Sequence, residues 1–255
     1  MAEHTDLISQ TYRKLEHLEH ILLRPDSYIG STEYDEEPVW VFDEETSKMK
    51  QQKIRYVPGL YKIFDELVVN AADNKVRDPS MDRVKITIDQ QENSISVWNN
   101  GKGLPVALHK VHEIYVPELV FGHLLTGSNY DDSQKKVTGG RNGYGAKLAN
   151  IFSTEFTVET MDSERSLLFR QTWRNNMSSK GGSVVKSKKG NDYTCVTFKP
   201  DLSRFKMTHL EDDIILLMKR RAYDLAACTG LKVELNGRLV PVKSFRDYVE
   251  LFPTQ

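Results

Sequence analysis

Apolar residues recur at Leu15, Leu18, Ile21 and Leu22, a helical spacing that predicts a first helix. It should stop at Arg24, because a residue ahead of proline is driven out of the helical region, and Pro25 follows. Residues 25–30 then read as a turn carrying Tyr28. The pattern weakens over 31–57, where residues 39–42 predict a short strand and residues 44–52 a polar turn. Pro58 suits the first position of a helix. Ile63, Phe64, Leu67, Val68, Ala71 and Ala72 supply its apolar face, and the helix should run to Asn74. Glu66, Asn70, Asp73 and Asn74 fall at i, i+4, i+7 and i+8, so they form one polar stripe on the other side.

The period then changes. Val84, Ile86 and Ile88 alternate with polar residues, as do Ile95 and Val97, so residues 89–93 turn a hairpin. Its second strand ends in Trp98-Asn99-Asn100-Gly101-Lys102-Gly103, where glycine lets backbone approach a ligand closely. Residues 117–125 predict a short helix, 126–137 a polar loop and 146–152 another helix. Four strands follow, at 156–161, 166–174, 184–187 and 193–199, and their short connections imply antiparallel pairing. Thr208 and Glu211 have capping-box spacing for a helix running to about Cys228, which Gly230 should close. Asn236-Gly237 predicts a tight hairpin, and residues 244–251 a last short helix. The expected fold is an α+β two-layer sandwich, with helices on one face of a mixed, mostly antiparallel sheet.

Composition narrows the class without naming a chemistry. The 255 residues are 39% hydrophobic and 28% charged with a formal charge of -1, ordinary for a globular domain. Lacking a basic excess, this segment shows no compositional sign of a nucleic-acid surface. Cys195 and Cys228 are the only cysteines, which disfavours a disulfide framework or a zinc site and fits a reducing compartment. No long apolar run predicts a membrane span, and the polar first residues do not form a signal peptide. His17 and His20 lack partners at ligand spacing, so a solvated or partly packed helix face is their expected role.

The chemistry concentrates in residues 138–150, Thr-Gly-Gly-Arg-Asn-Gly-Tyr-Gly-Ala-Lys-Leu-Ala-Asn. A glycine run entering a helix offers backbone N–H groups, a positive dipole end and Lys147 to a phosphate chain. It is not a Walker A loop, since Ala146 precedes Lys147 and Leu148 stands where a Mg-binding Ser or Thr belongs. Nor is it a dinucleotide fingerprint, because the spacing is G-x-x-G-x-G. Alone, the cluster reads equally as a surface loop.

In company it reads differently. The helix carrying Glu66 and Asn70, the strand ending in Asn99-Asn-Gly-Lys-Gly, the glycine-rich turn and Thr194 on a later strand occur in an order that resembles the GHKL ATPases. These include gyrase and topoisomerase II, Hsp90 chaperones, MutL proteins and histidine kinases. The wording of residues 23–30, 127–132 and 137–147 is most similar to the N-terminal ATPase domain of eukaryotic type IIA DNA topoisomerases, and the likeness covers nearly the whole chain. One departure is that Asn99 stands where most of the superfamily has Asp; its carboxamide still offers an acceptor to adenine.

The resemblance implies ATP and Mg²⁺ as ligands. Glu66 would be the general base and Asn70 the Mg²⁺ ligand. Asn74 would touch phosphate or ribose, Ser128 and Asn129 ribose and phosphate, and Asn99 and Thr194 adenine. Gly140, Arg141, Asn142, Gly143, Tyr144, Gly145, Ala146 and Lys147 would wrap the phosphates. Ala71, Leu104, Pro105, Val120 and Phe121 are candidate apolar walls, equally readable as core. Residues 1–30 would form an arm and first helix exchanged between subunits, residues 31–245 the ATPase domain, and residues 246–255 the start of a linker to a following transducer domain. Tyr28 would reach the partner subunit's nucleotide. A nuclear homodimer that closes on DNA when ATP binds is the expected setting, with DNA held mainly by other parts of the protein and no DNA-cleavage site in this segment. A chaperone-type or mismatch-repair GHKL ATPase is the alternative, since it would share all four motifs.

Overall fold

A computed structural model describes residues 16–124 and 144–253. Helix α1 (His17–Leu23) ends at Arg24 as the following proline requires, and a single turn, α2 (Asp26–Ile29), follows. Ile21 and Ile29 are fully or almost fully buried, so this N-terminal piece contributes to the main core.

Strands β1 (Asp35–Asp43) and β2 (Lys48–Tyr56) pair antiparallel as a separate two-stranded sheet. The polar turn expected over 44–52 is therefore confined to the tip. In β2 only Met49 and Ile54 are buried, and their spacing is not that of alternate positions, so the alternation that marks a half-buried strand is missing.

Pro58 opens α3 (Pro58–Arg77), the longest helix described. Leu60, Ile63, Phe64 and Val68 are wholly buried along one face. At about 1.5–3 kcal/mol for each large apolar side chain, this stripe is a principal source of stability. Then come β3 (Arg83–Asp89), β4 (Ser94–Asn99), α4 (Val116–Gly122), α5 (Gly145–Ile151), β5 (Ser153–Asp162), β6 (Leu167–Arg174), β7 (Ser179–Lys180), β8 (Val184–Ser187) and β9 (Tyr193–Pro200). The chain finishes with α6 (Asp212–Thr229), β10 (Lys232–Leu235), β11 (Arg238–Leu239) and α7 (Phe245–Val249).

The nine-stranded sheet runs β11-β10-β3-β4-β9-β5-β6-β7, with β8 also on β6. Every pairing in it is antiparallel except that of β10 with β3. This is the mixed, mostly antiparallel sheet expected from the sequence. The apolar side of the sheet and the helices α3, α5 and α6 share one core, in which Phe64, Phe152, Phe156 and Phe198 are essentially inaccessible.

The capping box expected at Thr208 and Glu211 does not form. Asn93 Oδ1 accepts from Leu210 N at 2.8 Å, and Gln90 Nε2 donates to Leu210 O at 2.8 Å, which ties the segment to the β3–β4 turn. Glu211 is itself the N-cap, and its carboxylate accepts from Tyr34 Oη at 2.6 Å. A capping box does occur at Ser244, whose side chain accepts from Asp247 N while Asp247 accepts from the cap backbone. Gly230 closes α6 with φ 67°, a left-handed conformation suited to glycine. Asn236 and Gly237 both have positive φ, as the tight β10–β11 turn requires.

Candidate functional site

Three neighbouring strands lose their apolar character at the same level. On β4 the helix-facing positions run Ile95, Val97, Asn99; on β9 they run Phe198, Val196, Thr194; on β5 they run Phe156, Val158, Thr160. The register sets Asn99 opposite Thr194 and Thr194 opposite Thr160, so the core ends in one polar row. Thr160 and Thr194 share a hydroxyl hydrogen bond of 3.0 Å, and Thr160 Oγ1 also donates to Tyr193 O at 3.0 Å and accepts from Leu104 N at 3.1 Å. Asn99 is 7% exposed and Thr160 wholly buried. This row is the floor of the candidate site, and Thr160 is a member that sequence spacing did not single out.

Helix α3 forms one side. Glu66, Asn70 and Asn74 stand on successive turns, as the polar stripe predicted. At its far end Asn74 Nδ2 donates to Asn99 Oδ1 at 2.8 Å and lies 3.3 Å from Lys102 O. The glycines of the Asn-Asn-Gly-Lys-Gly turn have a reason other than the expected ligand approach. A β-carbon on Gly101 would lie 2.5 Å from Asn74 Nδ2, and one on Gly103 would lie 1.8 Å from Met161 O. The turn is wedged between α3 and β5, and larger residues would break both contacts.

The opposite side begins at α5. A β-carbon on Gly145 would lie 2.1 Å from Glu66 Oε2, so the carboxylate abuts the first residue of that helix. The other oxygen, Oε1, pairs with Lys62 Nζ at 2.6 Å, one turn back on α3. Lys147 is 2% exposed, and burial pushes its ammonium pKa down to about 8. Ala71 and Phe121 are buried and Val120 and Leu104 half-buried against the core. Ser128, Asn129, Gly140, Arg141, Asn142 and Gly143 lie outside the described residues.

Tyr144, immediately before α5, is covered by the N-terminal helix. Its hydroxyl lies 3.1 Å from His17 Nε2, and its ring is 6.2 Å from that of Tyr28. Tyr28 Oη in turn lies 2.9 Å from His20 Nδ1. The two histidines thus tie the arm's first helix to both tyrosines. Their i, i+3 spacing placed them on one face, but nothing local showed what that face would meet.

Asn70 and the Glu66 carboxylate put two oxygen-bearing groups on one helix face, both half-buried. Such hard oxygen donors, few in number, fit Mg²⁺ held largely by phosphate and water. No cluster of three or more His, Cys, Asp or Glu side chains at metal-binding distance occurs among the described residues.

A sandwich whose floor is polar at one level, flanked by a carboxylate–carboxamide stripe and a glycine-started helix with a buried lysine, defines a nucleotide-binding ATPase domain. Residues 56–204 match the family described as "Histidine kinase-, DNA gyrase B-, and HSP90-like ATPase", and the chain belongs to it. Within that family it is similar to DNA topoisomerase 2-alpha of Gallus gallus, 61% identical over 96% of this chain and 16% of that protein. DNA topoisomerase 2 of Drosophila melanogaster is 58% identical over 96% of this chain and 17% of the relative. The crystal structure of the ATPase region of Saccharomyces cerevisiae topoisomerase II superposes with a TM-score of 0.94 at 54% identity, covering 96% of this chain and 65% of that one. The chain thus spans about a sixth of the length of the curated relatives it matches.

Proposed function

We propose that this site binds ATP and hydrolyses it, as the ATPase part of a type II DNA topoisomerase. The contact of Glu66 with Gly145 is the observation that carries this reading, because it sets a carboxylate against the first residue of α5, within the segment expected to wrap the phosphates. Hydrolysis needs a water aligned with the γ-phosphate, a group to take its proton and positive charge near the equatorial oxygens. Glu66 accepts the proton. Its ion pair with Lys62 fixes the carboxylate between that lysine and α5, so it is oriented before a substrate arrives. Asn70 would hold Mg²⁺ through its carboxamide oxygen, and the ion would supply charge neutralisation at the phosphates. Lys147 contributes a point charge to them, its burial strengthening the attraction.

Asn99 and Thr194 read the adenine from the floor. Ser128, Asn129 and residues 140–143 complete the ribose and phosphate contacts. ATP binding joins two copies, the arm of residues 1–30 crosses to the other subunit, and Tyr28 touches the nucleotide there. In the whole protein this closure would capture one DNA duplex for passage through another, in the nucleus.

The test is light scattering of the chain with a non-hydrolysable ATP analogue and Mg²⁺. A shift from monomer to dimer at saturating analogue is expected; a monomer throughout refutes the closure reading. An analogue that fails to bind at all refutes the ATP site itself.

A further inference from the structure

A hydroxyl is an ambiguous reader of a base, because it can donate its one hydrogen or accept through its oxygen. Adenine and guanine differ in this respect at carbon 6, where adenine carries an amino donor and guanine an oxo acceptor. Thr194 can tell them apart only if something settles where its hydrogen points.

The structure assigns that task to Thr160, as a positioning residue that makes the Thr194 hydroxyl an acceptor toward the base and so favours adenine over guanine. Thr160 is wholly buried, and its hydroxyl lies within hydrogen-bond reach of Leu104, Tyr193 and Thr194. The first two contacts have fixed polarity. Leu104 N, at 3.1 Å, can only donate, and Tyr193 O, at 3.0 Å, can only accept. The Thr160 hydrogen therefore goes to Tyr193 O, since without it two bare oxygens would face each other at that distance. One lone pair of Thr160 takes the Leu104 amide, and the other is left for Thr194 Oγ1 at 3.0 Å. Thr194 must then supply the hydrogen of that contact. Its oxygen meets a base with lone pairs alone, which attract an amino group and repel an oxo group.

The neighbouring floor residue agrees. Asn99 Oδ1 accepts from Asn74 Nδ2 at 2.8 Å and from Gly101 N, which only donates, at 3.2 Å. With that oxygen engaged twice, Asn99 has its amide nitrogen, a donor, left to offer a ligand. The acceptor role expected of its carboxamide passes to Thr194, its partner across the strands. A donor beside an acceptor complements ring nitrogen 1 and the 6-amino group of adenine. Guanine, with hydrogen on nitrogen 1 and oxygen on carbon 6, presents the inverse edge.

This inference rests on the reading of Thr194 as a base contact, and the experiment separates the two. Calorimetry on the intact chain measures affinities for ATP, GTP and inosine triphosphate, which shares guanine's 6-oxo edge but lacks its 2-amino group. The variants are Thr160→Val, Thr160→Ser, Thr194→Val and the Thr160→Val/Thr194→Val pair, beside the unmodified protein. Thr160→Val keeps the shape, removes the hydroxyl and lets Thr194 turn its hydrogen toward an oxo group. The preference for ATP over both 6-oxo nucleotides is then expected to fall about tenfold, the worth of one well-placed hydrogen bond. Thr160→Ser retains the hydroxyl and should keep the preference of the unmodified protein. In the Thr194→Val background there is no hydroxyl to orient, so adding Thr160→Val should change the preference by less than about twofold. Equal losses of ATP and 6-oxo nucleotide affinity in Thr160→Val would overturn the inference. So would a Thr160→Ser protein as unselective as Thr160→Val, or the same change in both backgrounds. If Thr194→Val alone keeps the full preference, the base-contact reading falls and the role of Thr160 with it. Should Thr160→Val not fold, Thr160→Cys decides the question. Sulfur accepts only weakly, so the preference should drop in that variant, and an unchanged preference overturns the inference.

Discussion

The carboxylate of Glu66 lies against Gly145 so closely that a β-carbon there would sit 2.1 Å from Oε2. Gly145 begins α5 with no positive φ, so alanine is compatible with its backbone. Gly145→Ala should then leave thermal stability nearly unchanged while displacing Glu66. ATP turnover is expected to fall by at least about tenfold, which steady-state phosphate release would measure against the melting temperature.

Glu66→Gln keeps the shape of the side chain and removes its basicity. Turnover should fall by about 10²-fold or more, with nucleotide affinity retained. An unchanged rate in single-turnover assays would remove Glu66 from the mechanism.

Lys147 gives a pH signature. Burial pushes its pKa down to about 8, below the ordinary lysine value. Between those two values the unfolded chain holds a proton that the folded chain has released, so this group's penalty on folding is full below about 8 and disappears as pH rises through that window. A triphosphate beside it restores the charge. ATP binding at a pH just above about 8 should take up protons, visible as a dependence of binding enthalpy on buffer ionisation heat. Lys147→Met should abolish the uptake and weaken binding.

Gly103 is the most tightly enclosed glycine described, with a β-carbon only 1.8 Å from Met161 O. The clash is with backbone at the end of β5 and cannot be relieved by a rotamer change. Gly103→Ala should destabilise the domain by about 3 kcal/mol, read from chemical denaturation, and should also loosen the Leu104 contact with Thr160.

What the sequence revealed follows from where the information lies. The α3 stripe was legible because a period of 3.6 puts Glu66, Asn70 and Asn74 on one side whatever they face. The pairing of Asn99 with Thr194 was not, since strand register joins residues far apart in the chain. For the same reason Thr160 passed unnoticed, as did the hydrogen bond between Asn74 and Asn99. The β2 strand was hidden because its two buried residues, Met49 and Ile54, do not fall on alternate positions. The Thr208 capping signal failed because Asn93 and Gln90, more than a hundred residues earlier, hold that backbone.

The parallel ladder between β10 and β3 has a consequence for biosynthesis. Every described site residue from Glu66 to Thr194 leaves the ribosome before Lys232–Leu235, the strand that covers β3. Until then the outer edge of β3 has open backbone groups beside Val84 and Ile86, a template for pairing with another nascent chain. The order of translation thus delivers the chemistry first and the seal last, and a polypeptide cut short between the two would carry the described site residues on a sheet prone to self-association.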